Sequence, residues 1–303
     1  MNAGRAPPGE KLARGRHHGR EIQLEMTTAK QTTVDRTDQA PRFTPSGPRV
    51  LLAADESDGA RAGESWIRRL RWARRPEIDV LTVAPPPAWT SGFGLQTYRP
   101  AVRDAVIEAR HVALIEAQRV ANVVGSRLQE SGVRVRVWAR HGDVADEIVR
   151  MAGLEAPDLL VVGRGRRAWR GLPWVRSVAD RVALEAEVAV LVAHPPPPGD
   201  EPLPRRIVLV GSDPSADDDT GRWLARVGWV DGAGVSGVSI ARAGGADEVA
   251  AVVEGQGPDL AIWPRADRRT AEAALSLADA TGVSVLLVPL RPPRGAAGTG
   301  PRA

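Results

Sequence analysis

The sequence predicts an α/β protein built on a doubly wound parallel sheet, and three observations carry that prediction. Short apolar runs alternate with segments of helical period between residues 49 and 193, and such alternation demands right-handed crossovers between parallel strands. The stretch from Asp158 to His194 reads as a buried strand (DLLVVG), a basic glycine-containing loop (RGRRAWRGLPWVR), a helix opened by Ser177, and a second strand (VAVLVA). Apolar runs of that length suit strands covered on both faces. RIVLVGSDPS at 206–215 then repeats the opening theme LLAADES, so the architecture occurs a second time.

Taken in order, RVLLAA (49–54) is the first strand and runs into Asp55, Glu56 and Ser57. Ala62, Trp66, Leu70 and Ala73 recur at helical spacing until Pro76 ends the helix. IDVLTVA (78–84) is the second strand, followed by the proline-rich PPPAWTSGFGLQTYRP. From Val102 through Val106, Ala109, Ala113, Ala117, Val120 and Val124 to Leu128 the apolar residues step by three and four, which predicts a long amphipathic helix. VRVRVWA (133–139) alternates as a strand does, and Asp143 is placed to N-cap the helix VADEIVRMAGL.

A loop that leaves a buried strand and feeds a helix N-terminus is where phosphate can sit. Free backbone N–H groups and the positive end of the helix dipole both face the anion there, and arginines add charge. Gly163 and Ser177 fall on the first and last positions of a longer pattern: glycine, two residues, glycine, nine residues, glycine, then serine or threonine. That pattern closes the ATP site of the universal stress protein family, which this segment resembles. Arg166 stands at the second glycine and Arg176 at the third. The resemblance extends from Arg49 to Ala193. It rests also on a strand ending in Asp55 with Ser57 two residues on, and on HGDVADEIV (141–149), similar to the family's G-D-x-x-x-x-I signature.

The resemblance implies a five-stranded parallel sheet of order 3-2-1-4-5, with strands 1 and 4 adjacent at the switch point where ligands bind. It implies ATP or a related adenine nucleotide as cofactor. Asp55 and the backbone around Val83 would contact the adenosine, and Gly163, Gly165, Ser177 and Val178 the phosphates, with Gly142 lining the same cleft. Ser57 shares the loop with Asp55. Arg166 carries a Cβ that resists the close approach a glycine permits, while Arg164, Arg166, Arg167 and Arg176 offer guanidinium forks for phosphate instead. The alternative reading is a nucleotide-free interaction module that has lost its phosphate loop, with Asp55 and Ser177 serving only as helix N-caps. His141, with no paired carboxylate in view, reads as a loop residue rather than a general base.

The chain divides into a tail of residues 1–47 predicted to be disordered, a first module at 48–194, a stiff proline-rich linker at 195–204, a second module at 205–291 and a Gly, Pro and Arg tail at 292–303. In the second module Asp213 and Ser215 stand where Asp55 and Ser57 do, and Trp223, Leu224 and Val227 mark a helix. GVSGVSIA, DLAIW and VSVLLVPL read as strands, and GADEVAAVVEG as a helix. The long helix and one strand have no counterpart, and no glycine loop lies between Asp259 and Val283, so this is a shortened, degenerate copy. The last strands of the two modules, VAVLVA and VSVLLV, are both apolar, and an unpaired apolar edge invites aggregation. They are expected to pair, as a pseudo-dimer within the chain or as a homodimer between chains.

Only Lys11 and Lys30 are lysine among 41 basic residues, and the net charge is +4, so the pI near 10.4 reflects arginine rather than a charge excess. That balance does not point to a nucleic-acid partner; the RGRRAWRG run, which contains Trp169 and is followed by Trp174, reads as a solvated basic loop. Asp217, Asp218 and Asp219 read as first-turn acids of a helix rather than a metal cluster. With no cysteine, disulfides, thiolate metal sites and thiol catalysis are excluded. No apolar run reaches the ~20 residues of a membrane span, and the N-terminus lacks a signal peptide's apolar core, so a cytoplasmic protein without a membrane partner is expected. Met26 is an alternative start to Met1. No G-x-S-x-G elbow, HExxH site or Walker loop is present, nor the SGGxDS or HxGH motifs of adenylating relatives of this fold, so no enzyme is expected.

Overall fold

The computed structural model describes residues 47–86, 100–164, 177–211, 234–239 and 246–290, with Thr220, Gly221, Trp223, Leu224, Val227 and Trp229. The first module contributes β1 (Arg49–Ala53), α1 (Asp58–Arg69), β2 (Glu77–Ala84), α2 (Pro100–Gln129), β3 (Arg134–His141), α3 (Val144–Glu155), β4 (Leu159–Gly163), α4 (Val178–Glu185) and β5 (Val190–Ala193). The second contributes β6 (Arg206–Gly211), β7 (Gly234–Ser239), α5 (Ala246–Gln256), β8 (Leu260–Arg265), α6 (Arg268–Thr281) and β9 (Ser284–Pro289).

Among the described residues one sheet of nine strands runs in the order β3-β2-β1-β4-β5-β9-β8-β6-β7. The first five reproduce the expected 3-2-1-4-5 with every pairing parallel. The last four are the same order without its third strand, also parallel within themselves. Only six residues separate β7 from α5, which leaves no room for a counterpart of α2 and β3. The two halves join where β5 meets β9 antiparallel, with Val190 opposite Leu287, Leu191 opposite Leu286 and Val192 opposite Val285. The last strands therefore pair within the chain, as a pseudo-dimer.

Alternate residues along each strand feed two cores, one on each face. Leu51, Leu160, Val162, Val190, Ala261 and Leu287 turn toward α3, α4, α5 and α6. Val50, Leu52, Val161, Leu191, Ile262 and Leu286 turn toward α1, α2 and the helical residues Leu224 and Val227. Both cores run across the β5–β9 seam without interruption, so the modules share their apolar interior. The linker shares in it too. Leu203 is fully buried, its N–H donates to the Arg69 carbonyl (2.7 Å) and its carbonyl accepts from the Arg71 N–H (3.0 Å). The expected stiff spacer is thus docked along the end of α1, where Arg69 also donates to the Pro197 and Glu201 carbonyls.

Helix α6 is the element the sequence reading left unassigned. Asp267 caps it in a reciprocal box with Thr270, Gly282 closes it in the left-handed conformation (φ +70°), and Ala271, Ala274, Leu275 and Ala278 form its buried face. Trp169, Trp174, Asp213, Ser215 and Asp217 to Asp219 lie outside the described residues.

Leu191 and Leu286 face one another across the seam, both fully buried. Leu286→Ala is expected to cost about 2–5 kcal/mol in urea unfolding, the range for a buried leucine that leaves a cavity. A loss below about 1 kcal/mol would show that the seam is not part of the core.

Candidate functional site

The parallel register of β1 and β4, with Ala53 opposite Val162, sets Asp55 and Gly163 at the carboxyl ends of neighbouring strands. The chain enters β1 and β2 on one side of this point and β4 and β5 on the other, which makes it the topological switch of the sheet. Asp55 is exposed, and its Oδ1 accepts the Ser57 N–H at 2.9 Å. Ser57, not Asp55, is the N-cap of α1: its Oγ accepts the Ala60 N–H at 3.1 Å. The expected alternative role of Asp55 as a cap is therefore corrected. Its carboxylate orders the cap residue and leaves Oδ2 without a hydrogen bond among the described residues.

Gly163 is held to glycine by packing. A Cβ there would lie 1.8 Å from the Gly59 carbonyl oxygen and 2.0 Å from its carbon. The end of β4 thus presses on the first turn of α1, and the need is for close helix–strand approach rather than for a left-handed φ. Val83 lies near the carboxyl end of β2, its residue opposite Arg140, and is half-buried in the α3-side core. Gly142 follows β3 and donates its N–H to the Ala84 carbonyl at 3.1 Å; a side chain there would meet Glu147. His141 is the last residue of β3, not a loop residue, and its buried Nε2 has no hydrogen-bond partner among the described residues.

Ser177 caps α4, accepting the Asp180 N–H at 3.1 Å, while Asp180 Oδ2 accepts the Ser177 N–H at 3.2 Å. Val178 opens the helix and is exposed. Arg181 ties α4 to the start of α3 through Asp143 (2.8 Å) and Asp146 (2.6 Å). Gly165, Arg166, Arg167 and Arg176 lie outside the described residues.

Arg164 departs from expectation. In place of an exposed phosphate fork it is buried, with its side chain 6% exposed, between Asp180 of α4 at 2.6 Å and Asp279 of α6 at 2.7 Å. Sequence reading missed this residue's role because its second partner comes from the other module. Asp180 was detectable, three residues after Ser177 where a capping box puts its acid.

The site gathers two capped helix starts, a carboxylate with a free oxygen and close-packed strand ends. Such a set can bind an anion and a polyhydroxyl group. Among the described residues it offers no nucleophile paired with a base, and no group of three or more His, Asp and Glu that could hold a metal.

Residues 48–194 match the family model of the universal stress protein family. They form a universal stress protein domain. Among solved structures the chain is similar to a universal stress protein from Archaeoglobus fulgidus (TM-score 0.55, 16% identity, 80% of this chain and 96% of that one), a likeness of fold that spans both modules. It is also similar to the universal stress protein UspA of Lactobacillus plantarum (TM-score 0.39, 18% identity, 48% and 97% of the two chains). A third is a universal stress protein family member from Arabidopsis thaliana with AMP bound (TM-score 0.31, 18% identity, 48% and 90%). No curated protein matches the chain in sequence. No described helix is long and apolar enough to cross a membrane.

Gly163→Ala in the universal stress protein domain is expected to lower stability by about 1–3 kcal/mol or more, because the Cβ meets rigid backbone. Ser177→Ala is expected to cost about 1 kcal/mol through loss of the cap; urea titrations measure both. Burial pushes the pKa of His141 and His194 below the usual 6.5, with nearby Arg110 and Arg164 adding to the effect. The unfolded chain therefore binds more protons than the folded one as pH falls through 6.5, and stability is lost there. The melting temperature should fall between about pH 7 and pH 5, and His194→Gln should flatten that fall.

Proposed function

We propose that the universal stress protein domain binds an adenine nucleotide, ATP or a close relative, in the cleft at the carboxyl ends of β1, β2 and β4, and that the protein acts in the cytoplasm as a regulator rather than as an enzyme. The observation that carries this reading is the meeting of Asp55, Gly163 and the Ser177-capped helix at the switch point of the sheet. In this reading the free Oδ2 of Asp55 accepts a ribose hydroxyl, and the backbone near Val83 borders the base. Gly142 lines the wall. Ser177 and the first amides of α4, from Val178 on, take the phosphates, where the helix dipole favours negative charge. Gly165, Arg166 and Arg176 belong to the same phosphate segment by sequence, the arginines supplying forks where the family has glycines.

Arg164 is not assigned to phosphate, because two carboxylates already hold it. The second module has no equivalent loop: Ala266 and Asp267 alone connect β8 to α6. It is read as a pairing partner for the first. A regulatory role agrees with a site that has a binding carboxylate and helix amides but no acid–base pair among the described residues.

Calorimetry with ATP, ADP and cyclic AMP tests the reading. The full chain is expected to bind at least one of them, and Asp55→Ala to weaken it by about tenfold to a hundredfold, the value of a hydrogen bond to a charged group. No heat with any of the three would select the nucleotide-free interaction module instead. Steady release of ADP from ATP would overturn the regulatory assignment.

A further inference from the structure

The seam between the modules carries a second device besides the β5–β9 ladder. Arg164, immediately after β4, leaves its own module to reach Asp279 of α6 (2.7 Å) while also holding Asp180 in the first turn of α4 (2.6 Å). Arg265, the last residue of β8, crosses in the opposite direction and donates to the Ala183 carbonyl near the end of α4 (2.8 Å). Each module thus sends one arginine from the end of its fourth-position strand to the other module's last helix. The antiparallel seam makes this possible: the carboxyl end of β4 lies beside the end of α6, and the carboxyl end of β8 beside the end of α4.

Neither contact is a solvated surface pair. Arg164 is almost entirely buried, Asp180 and Asp279 are mostly buried, and Arg265 is buried enough for desolvation to lower its pKa. A buried charge deprived of its partner is strongly destabilising, whereas an exposed pair contributes little. Arg265 also sits at a helix C-terminus, where a cation complements the dipole. Helix α4 is therefore gripped at both ends. Its first turn is held by Arg164, which the second module anchors through Asp279, and its last turn is held directly by Arg265.

We propose that the second module is a built-in partner subunit for the first-module cleft: Asp279 and Arg265 are positioning residues that fix α4, and with it the Ser177 cap and Val178. The degenerate module keeps the helix and the crossing arginine that reach its neighbour and lacks the connection that would hold phosphate. The positioning of α4 stands on the geometry alone; its consequence for nucleotide affinity rests on the function proposed above.

Hydrogen–deuterium exchange on the full chain, with calorimetry alongside, tests this. In Asp279→Asn and in Arg265→Met, amides of α4 are expected to exchange at least about tenfold faster while those of β1 and β2 keep their rates, since local opening is confined to the released unit. Asp279→Glu should restore most of the protection. If ATP binds the wild-type chain, both variants should weaken it by about five- to tenfold. Unchanged α4 exchange in both variants would overturn the proposal, and so would equal acceleration of α4, β1 and β2, which marks general destabilisation. A wild-type chain that binds no nucleotide would remove the functional reading and leave the exchange result to decide the positioning role.

Discussion

The antiparallel pairing of β5 with β9 is the constraint on which the rest depends. Each module ends in a strand that is apolar apart from Ser284 at the start of β9, and either strand alone would leave an uncovered hydrophobic edge. Pairing them satisfies both ladders at once and fuses two sheets into one of nine strands. It also lets both apolar layers continue from one module into the other, so that neither core has a wall at the seam. The edges that remain are β3 and β7. One carries Arg134, Arg136 and Arg140, and the other is mostly glycine and serine in its middle, both poor templates for further pairing.

The antiparallel seam has a consequence for the site. Because the strands of the two modules run in opposite directions, their carboxyl ends lie at opposite ends of the sheet. The cleft of the first module is therefore flanked across the seam by the end of α6, not by a second cleft. That places Asp279 within reach of Arg164, and converts an arginine that sequence assigns to phosphate into an internal tie. The same reversal sets Arg265 against the end of α4. Elsewhere the domain holds itself with the local Ser57, Asp143 and Ser177 caps and with the buried Asp79, which Arg136 and Trp138 satisfy from the neighbouring strand.

Much of this architecture was legible in the chain. The apolar runs gave the strands of both modules, and the spacing from Gly163 to Ser177 gave the family. The shortened second copy could be counted in residues. Asp143 and Ser177 were readable as caps because their hydrogen bonds are local, closing three residues ahead. Helix α6 carries its Asp267 and Thr270 box and its alanine face in plain sequence, but it follows β8 after two residues, without the loop that marks α4. The role of Asp55 was only half visible. A carboxylate two residues before a cap serine looks like the cap itself until coordinates show which oxygen takes which N–H.

What the sequence determined by itself was whatever depends on period and spacing: the strand and helix succession, the family of residues 48–194, and the apolar character of the two strands that meet. Tertiary structure alone decided which partners distant charges find. Arg164 and Asp279 are more than a hundred residues apart, and nothing local distinguishes an arginine that faces phosphate from one that is buried between two aspartates. The same holds for Gly163, whose reason is the Gly59 carbonyl in the first turn of α1. Contacts of that kind are fixed by the direction in which two packed layers cross, a property no window of sequence contains.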